Sequence, residues 1–205
     1  DSCGMATFFS QVSRIVYLIA EINDDYTNFL SWNNYSQWNA GVSHYLVQRY
    51  TTANPAWQLL STINYPNDST YSALISSDYT SDGNFCYRII AIENPGDIYG
   101  FTDTVYSNEH CVQQKPTVFM PTAFRPQGRS GNFRPVSSFL TSEGYSFKIY
   151  NRFGGLIFES KNPYEGWDGS YYGHQSPLGI YHYHLQAKGG NGTDIKQSGS
   201  FTLIR

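Results

Sequence analysis

Apolar residues in this 205-residue chain recur in short alternating runs, broken every few positions by Gly, Pro, Asn, Asp or Ser, and helical spacing is nearly absent. A strand points successive side chains to opposite faces, so a period of two leaves one face to bury and one to wet. Runs this short are stable only when several pair and stack. The pattern therefore predicts an all-β protein. Strands are expected at 14–22, 27–33, 42–50, 57–63, 70–75, 84–93 and 104–112, then at 117–120, 145–151, 155–160, 179–187 and 198–204. Between the two sets lies Gln113-Gln114-Lys115-Pro116, a polar stretch ending in proline of the kind that links independently packed cores. Two modules are expected, 1–115 and 116–205, each an immunoglobulin-like β-sandwich. Their motif spacing differs, so they do not form an evident tandem repeat.

Composition narrows the function classes. The chain has 18 Tyr, 13 Phe and 4 Trp against 13 basic and 16 acidic residues, so rings outnumber charges. A charged fraction of 14% is well below that of a solvated disordered tail or a charged coiled coil. The net charge of -3 gives no basic footprint for nucleic acid. Apolar stretches such as 15–20 and 88–92 fall far short of a membrane span. The chain begins at Asp1 without a basic start and apolar run, so an export signal is expected to have been removed or to lie in a longer parent. Its three cysteines, Cys3, Cys86 and Cys111, form no Cys-x-x-Cys pair for zinc or thioredoxin-like chemistry.

In the first half, the order Leu30-Ser31-Trp32, Tyr45-Leu46-Val47-Gln48-Arg49, Cys86-Tyr87-Arg88-Ile89-Ile90-Ala91 and Tyr106-Ser107-Asn108 resembles a fibronectin type III domain over residues 10–112. The resemblance implies that Trp32 and Tyr87 anchor the core, in a family that supplies mostly spacers and binding surfaces. Alternation independently puts Tyr87, Ile89 and Ala91 on one face. If 84–93 and 104–112 form a hairpin, the register that sets Cys86 opposite Cys111 also sets Arg88 opposite Glu109. Directly opposed residues are close to disulfide reach, so a Cys86–Cys111 bridge and an oxidising compartment are expected, with Cys3 left over. Three free thiols are the alternative, and intact mass after alkylation without reductant separates the two.

The second half carries Phe119-Met120-Pro121-Thr122-Ala123-Phe124-Arg125-Pro126, then Tyr150-Asn151-Arg152-Phe153-Gly154, Gly166-Trp167-Asp168-Gly169, Pro177-Leu178-Gly179-Ile180-Tyr181-His182-Tyr183 and a final Ser200-Phe201-Thr202-Leu203-Ile204-Arg205. Order and spacing over 117–205 resemble the gliding-motility-associated C-terminal domain of the Bacteroidota, the type B sorting domain of type IX secretion. The resemblance implies a non-catalytic address on a large exported protein, read by the outer-membrane components of that machinery, with the cargo upstream in the same polypeptide and delivery to the cell surface or medium. The recognition candidates are Asn151, Arg152, Gly154, Gly166, Trp167, Asp168, Gly169, Leu203, Ile204 and Arg205. Of these Arg152, Asp168 and the terminal Leu203-Ile204-Arg205 are expected to be exposed. Each also has a structural reading, since Asn151 to Gly154 reads as a turn and Gly166 to Gly169 as a loop folded over its own Trp. Relatives commonly carry an acidic loop after the proline, whereas Gln127-Gly128-Arg129-Ser130-Gly131-Asn132 has no carboxylate and is not expected to hold calcium.

Other chemistries have weaker support. His182 and His184 share a strand face, with His174 near in sequence, but no carboxylate or Cys completes a metal set. Glu165 and Asp168 share one short loop and lack the surroundings of a glycosidase pair. Neither nucleophile-elbow nor phosphate-loop nor zinc-protease motifs occur, and no cofactor is implied. The rival to a sorting signal is a carbohydrate-binding or adhesive module, with Trp38, Trp57 and Trp167 as an aromatic platform for a surface glycan. Asp68-Ser69-Thr70 and Asp103-Thr104-Val105 also resemble the short O-glycosylation sequon of Bacteroidota.

Overall fold

A computed structural model of the chain describes residues 15–66, 69–75, 78, 80–96, 100–126, 128 and 131–204. Cys3, Asp68 of the first sequon, Gln127, Arg129 and Ser130 of the post-proline loop and the terminal Arg205 lie outside the described residues. The described chain is all-β, and its buried side chains fall into two clusters.

The first cluster is enclosed by eight strands: β1 (Leu18–Ile22), β2 (Thr27–Trp32), β3 (Val42–Thr51), β4 (Gln58–Asn64), β5 (Thr70–Leu74), β6 (Asn84–Glu93), β7 (Thr104–Tyr106) and β8 (His110–Gln113). One sheet has the order β1-β2-β5, the other β4-β3-β6-β7, and all these pairings are antiparallel. Alternation is clean where a strand has one wet face, as in β2, whose burial alternates along Thr27–Trp32. Trp32 meets Tyr45 edge-on at 5.7 Å, and Tyr87 is fully buried between the sheets.

The expected strand 104–112 is two strands. β7 pairs with β6 around Ala91, and β8 pairs with β6 around Cys86. Ser107 and Asn108 break the run: the Ser107 hydroxyl accepts the Ile89 N–H, and Asn108 bonds both the N–H and the carbonyl of Leu18 in β1. Cys86 stands directly opposite Cys111, with sulfurs bonded at 1.98 Å. Arg88 is not opposite Glu109, because Glu109 falls in the break; its guanidinium lies 4.2 Å from the Trp57 ring and donates to Gln48 Oε1.

The second cluster is built by β9 (Thr117–Phe119), β10 (Ala123–Phe124), β11 (Val136–Ser138), β12 (Leu140–Tyr150), β13 (Leu156–Ser160), β14 (Ser170–Tyr171), β15 (His174–Gln175), β16 (Gly179–Gly189) and β17 (Asp194–Leu203). Five strands form one sheet, β10-β17-β16-β12-β13, parallel only at β10–β17. Its inner face presents Phe147, Ile149, Tyr181, Tyr183, Leu185 and Phe201, while His182 and His184 lie on the outer face. The opposing layer is slight: the pairs β9–β11 and β14–β15, with loops carrying Phe133 and Trp167.

The expected linker is anchored in the first cluster, and two further features bring the clusters into contact. Gln114, in the expected linker, is buried, and its amide donates to Asn28 Oδ1 at 2.6 Å inside the first core. Phe139, between β11 and β12, has φ +59°, which turns its ring out of the second sheet and into the first cluster, edge-on to Phe85 at 6.0 Å. At the tip of the β16–β17 hairpin, Gly190 donates its N–H to the Phe139 carbonyl and lies so close to the Asp82 backbone that a Cβ there would collide with it.

Candidate functional site

The recognition candidates gather on the loops at one end of the second sandwich. After β12, the Asn151 side-chain oxygen accepts the N–H groups of Phe153 and Gly155, both at 2.9 Å, while the Asn151 backbone N–H donates to the Gly155 carbonyl. Asn151 therefore holds the turn, as its type commonly does. The turn lifts Arg152 and Phe153 to an exposed tip, Phe153 at 82% exposure, with the guanidinium 4.8 Å from the ring centre. Gly154 completes the tip.

Trp167 has a structural role. Its backbone exchanges two hydrogen bonds with Phe133, its indole N–H donates to the Ser170 carbonyl at 2.7 Å, and its ring is buried against Tyr181 at 5.0 Å. The flanking glycines let this loop fold tightly: a side chain on Gly166 would meet the Phe133 carbonyl, and Gly169 combines φ +87° with a Cβ position only 2.6 Å from Pro126. Asp168 is exposed, and its carboxylate accepts both the hydroxyl and the N–H of Ser170, at 2.7 and 2.8 Å. The Ser170 hydroxyl first, and then the Ser170 N–H, hold its pKa below 3.8.

At the chain's end the expectation is corrected. Leu203 is 2% exposed, paired with Phe124 across the parallel β10–β17 contact, so it belongs to the core. Ile204 is 44% exposed, although its N–H is tied to the Phe124 carbonyl.

Two clefts flank the β14–β15 hairpin and share Gln175 and Ser176. One, of about 490 Å³, is lined by Arg125, Pro126, Asp168, Gly169 and Leu203. The other, of about 660 Å³, lies between the Arg152-Phe153 turn and the hairpin, over Ile157, Leu178 and Ile180, with Tyr171 and Tyr172 at its rim. The candidates thus divide between the two clefts, Asp168 and Gly169 at one and Asn151 and Arg152 at the other. The hairpin itself was not expected from sequence. Its strands are two residues each, and its two-residue loop, Tyr172-Gly173, has Tyr where a hairpin turn normally advertises itself with Asn, Asp or Gly.

The three Trp of the glycan-platform reading do not share a surface. Trp167 is buried, Trp57 lies under Arg88, and Trp38 packs edge-on against buried Tyr35 at 4.5 Å. Glu165 accepts the Ser160 hydroxyl and closes its own loop, separate from the task of Asp168. His184 bonds Ser198, and among the described residues no three His, Cys, Asp or Glu gather as a metal set.

No curated protein matches the chain. Among solved structures, it is similar to the FN1–FN3 domains of chicken CNTN1, at 15% identity and a TM-score of 0.40, covering 93% of this chain and 66% of that one. It is also similar to a tandem repeat from the extending region of a large adhesion protein, at 16% identity and a TM-score of 0.37, covering 93% and 49%. A third is a Ca²⁺-stabilized adhesin of an Antarctic bacterium, at 12% identity and a TM-score of 0.32, covering 94% and 49%. The chain thus spans about half to two thirds of the length of these structures. Residues 124–203, which run from the end of β10 through the Arg152 turn and the Trp167 loop, with both clefts, to the final strand, match the family model of the CHU_C type IX secretion signal domain. Residues 124–203 thus carry the match to a type IX secretion signal domain, a type of domain that marks a protein for export to the cell surface or the extracellular space.

Proposed function

We propose that the chain is a non-catalytic, C-terminal sorting unit of a larger exported protein, in which residues 116–205 are read by outer-membrane components of the type IX machinery and residues 1–115, a fibronectin type III-like module, act as a co-signal. The match over residues 124–203 carries the sorting role. Reading by protein contact is supported by the accessible side chains Arg152, Phe153, Asp168 and Ile204, set on loops by a rigid sheet. The co-signal role is supported by the junction, where Phe139 enters the first core, Gly190 abuts the Asp82 backbone and Gln114 anchors the linker to Asn28, leaving little freedom for a swinging spacer.

The test is to place residues 116–205, and separately 1–205, behind an export signal and a fluorescent reporter in a bacterium with a type IX system. Surface or medium delivery by 1–205 is expected, with weaker delivery by 116–205. Retention of both fusions in the periplasm overturns the sorting reading. Equal delivery overturns the co-signal role.

A further inference from the structure

The cleft between the Arg152-Phe153 turn and the β14–β15 hairpin has three properties that structural duty does not explain. First, large apolar side chains are exposed around it: Phe153 at 82%, Tyr172 at 86%, Ile180 at 58% and Leu178 at 54%. Second, Tyr172 occupies the first position of a two-residue hairpin loop with φ +48°, followed by Gly173 at +76°. Positive φ at both loop positions is the type I′ geometry, which Asn, Asp or Gly adopts readily and a tyrosine adopts only under strain. A strained backbone that projects a solvent-exposed ring points to a use for the ring. Third, Arg152, stacked on Phe153, has no ion-pair partner among the described residues. The ion pairs among the described residues are Arg49–Asp78 and Lys148–Glu159, and no carboxylate lines the cleft.

We propose that this cleft is where the sorting domain is gripped, and that its occupant is an extended protein segment of the secretion machinery presenting an apolar anchor side chain beside a carboxylate. The anchor rests on Ile157, Leu178 and Ile180 between the aromatic rims, and the carboxylate pairs with Arg152. An aromatic- and Arg-walled pocket of this kind concentrates binding energy in few residues. A sugar ring is a poorer fit. The Tyr171 and Tyr172 rings, 4.4 Å apart, are tilted 56° to each other and form a wedge where stacking needs a flat face. The inference rests on the sorting reading above.

The test uses isotopically labelled 1–205 chain, titrated with synthetic peptides tiled across the exposed loops of the host's outer-membrane secretion proteins and, in parallel, with a soluble uronic-acid oligosaccharide. At least one peptide with a carboxylate next to an apolar residue is expected to shift the Phe153, Tyr171 and Tyr172 signals saturably. Exchanging that carboxylate for Lys weakens it by about tenfold. Arg152→Glu abolishes the response, and Tyr172→Asn does so without lowering the melting temperature, because Asn suits the turn better. If no peptide moves these signals, or only the oligosaccharide does, the proposal fails. In reporter fusions, delivery of wild type with undiminished delivery of both variants also sinks it and leaves the sorting reading standing. Loss of wild-type delivery sinks the sorting reading, while the titration still decides the cleft.

Discussion

Tyr87 and Tyr145 are both buried, yet their hydroxyls meet different surroundings. Tyr87 accepts a hydrogen bond from the Asn28 amide at 2.7 Å, whereas among the described residues the Tyr145 hydroxyl has no hydrogen-bond partner. Burial pushes both phenols up to about 12 from 10.0, because the ionised form would lose its hydration. Between pH 10.0 and about 12 each phenol would ionise in the unfolded chain but not in the folded one, so folding stability is undiminished below pH 10.0 and falls as pH rises through that window. Tyr145→Phe removes an unsatisfied group and one alkaline trigger, so it should raise stability by about 1 kcal/mol and shift alkaline unfolding to higher pH, as read by circular dichroism. Tyr87→Phe should instead lower stability by about 1–2 kcal/mol at neutral pH, since it strands the Asn28 amide in the core. Asp168 runs the other way. Its folded pKa lies below 3.8, so the support it gives the Trp167 loop is present above that value and fades as pH falls further. Asp168→Ala should show at neutral pH the loop mobility that the wild type shows only in strong acid, measured by Trp167 relaxation.

The long strands β3, β12, β16 and β17 were legible from alternation because each has one dry face, and β6, buried on both faces, also overlaps its expected run. The elements that escaped are those whose cause is not periodic. β10, β14 and β15 are two residues long, β7 and β8 are separated by side-chain bonds to Leu18, and Leu203 is buried by a parallel partner far away in sequence. The candidate site was legible as motifs, since turn and loop residues are local, but not as a surface. Which members are accessible depends on the sheet behind them, which made Trp167 and Leu203 core and left Arg152 and Asp168 outside. At this scale the loop around Trp167 should act as one cooperative piece. Gly169→Ala forces a side chain at φ +87° against Pro126, which is expected to lower stability by about 2 kcal/mol or more and to loosen Trp167 from Tyr181. A red-shifted Trp emission with unchanged far-ultraviolet dichroism is the expected signature; unchanged emission would show that the loop tolerates the side chain.

Across the whole chain, the junction is the feature least visible in sequence. Nothing in a Phe following two serines announces that it leaves its own sheet, and a polar Gln113-Gln114 pair reads as linker although Gln114 is buried on Asn28 and Gln113 reaches the Asp82 carbonyl. Phe139 enters a cluster whose neighbouring cation, Arg49, lies 5.7 Å from the Phe85 ring and pairs with Asp78 at 2.9 Å. Removing the Phe139 ring therefore empties a site in the first core and releases the second sandwich at once. Phe139→Ala should lower the stability of the first module by about 3 kcal/mol, as large-to-small changes at fully buried rings do. It should also let the modules tumble separately, giving two shorter rotational correlation times by nitrogen-15 relaxation where the wild type gives one. Gly190→Ala acts on the same contact without touching either core, because its new Cβ collides with the Asp82 backbone. If the junction is a rigid coupling, both variants decouple the tumbling, but only Phe139→Ala lowers stability on that scale. Two correlation times in the wild type would show instead that the contact is too weak to hold the modules together.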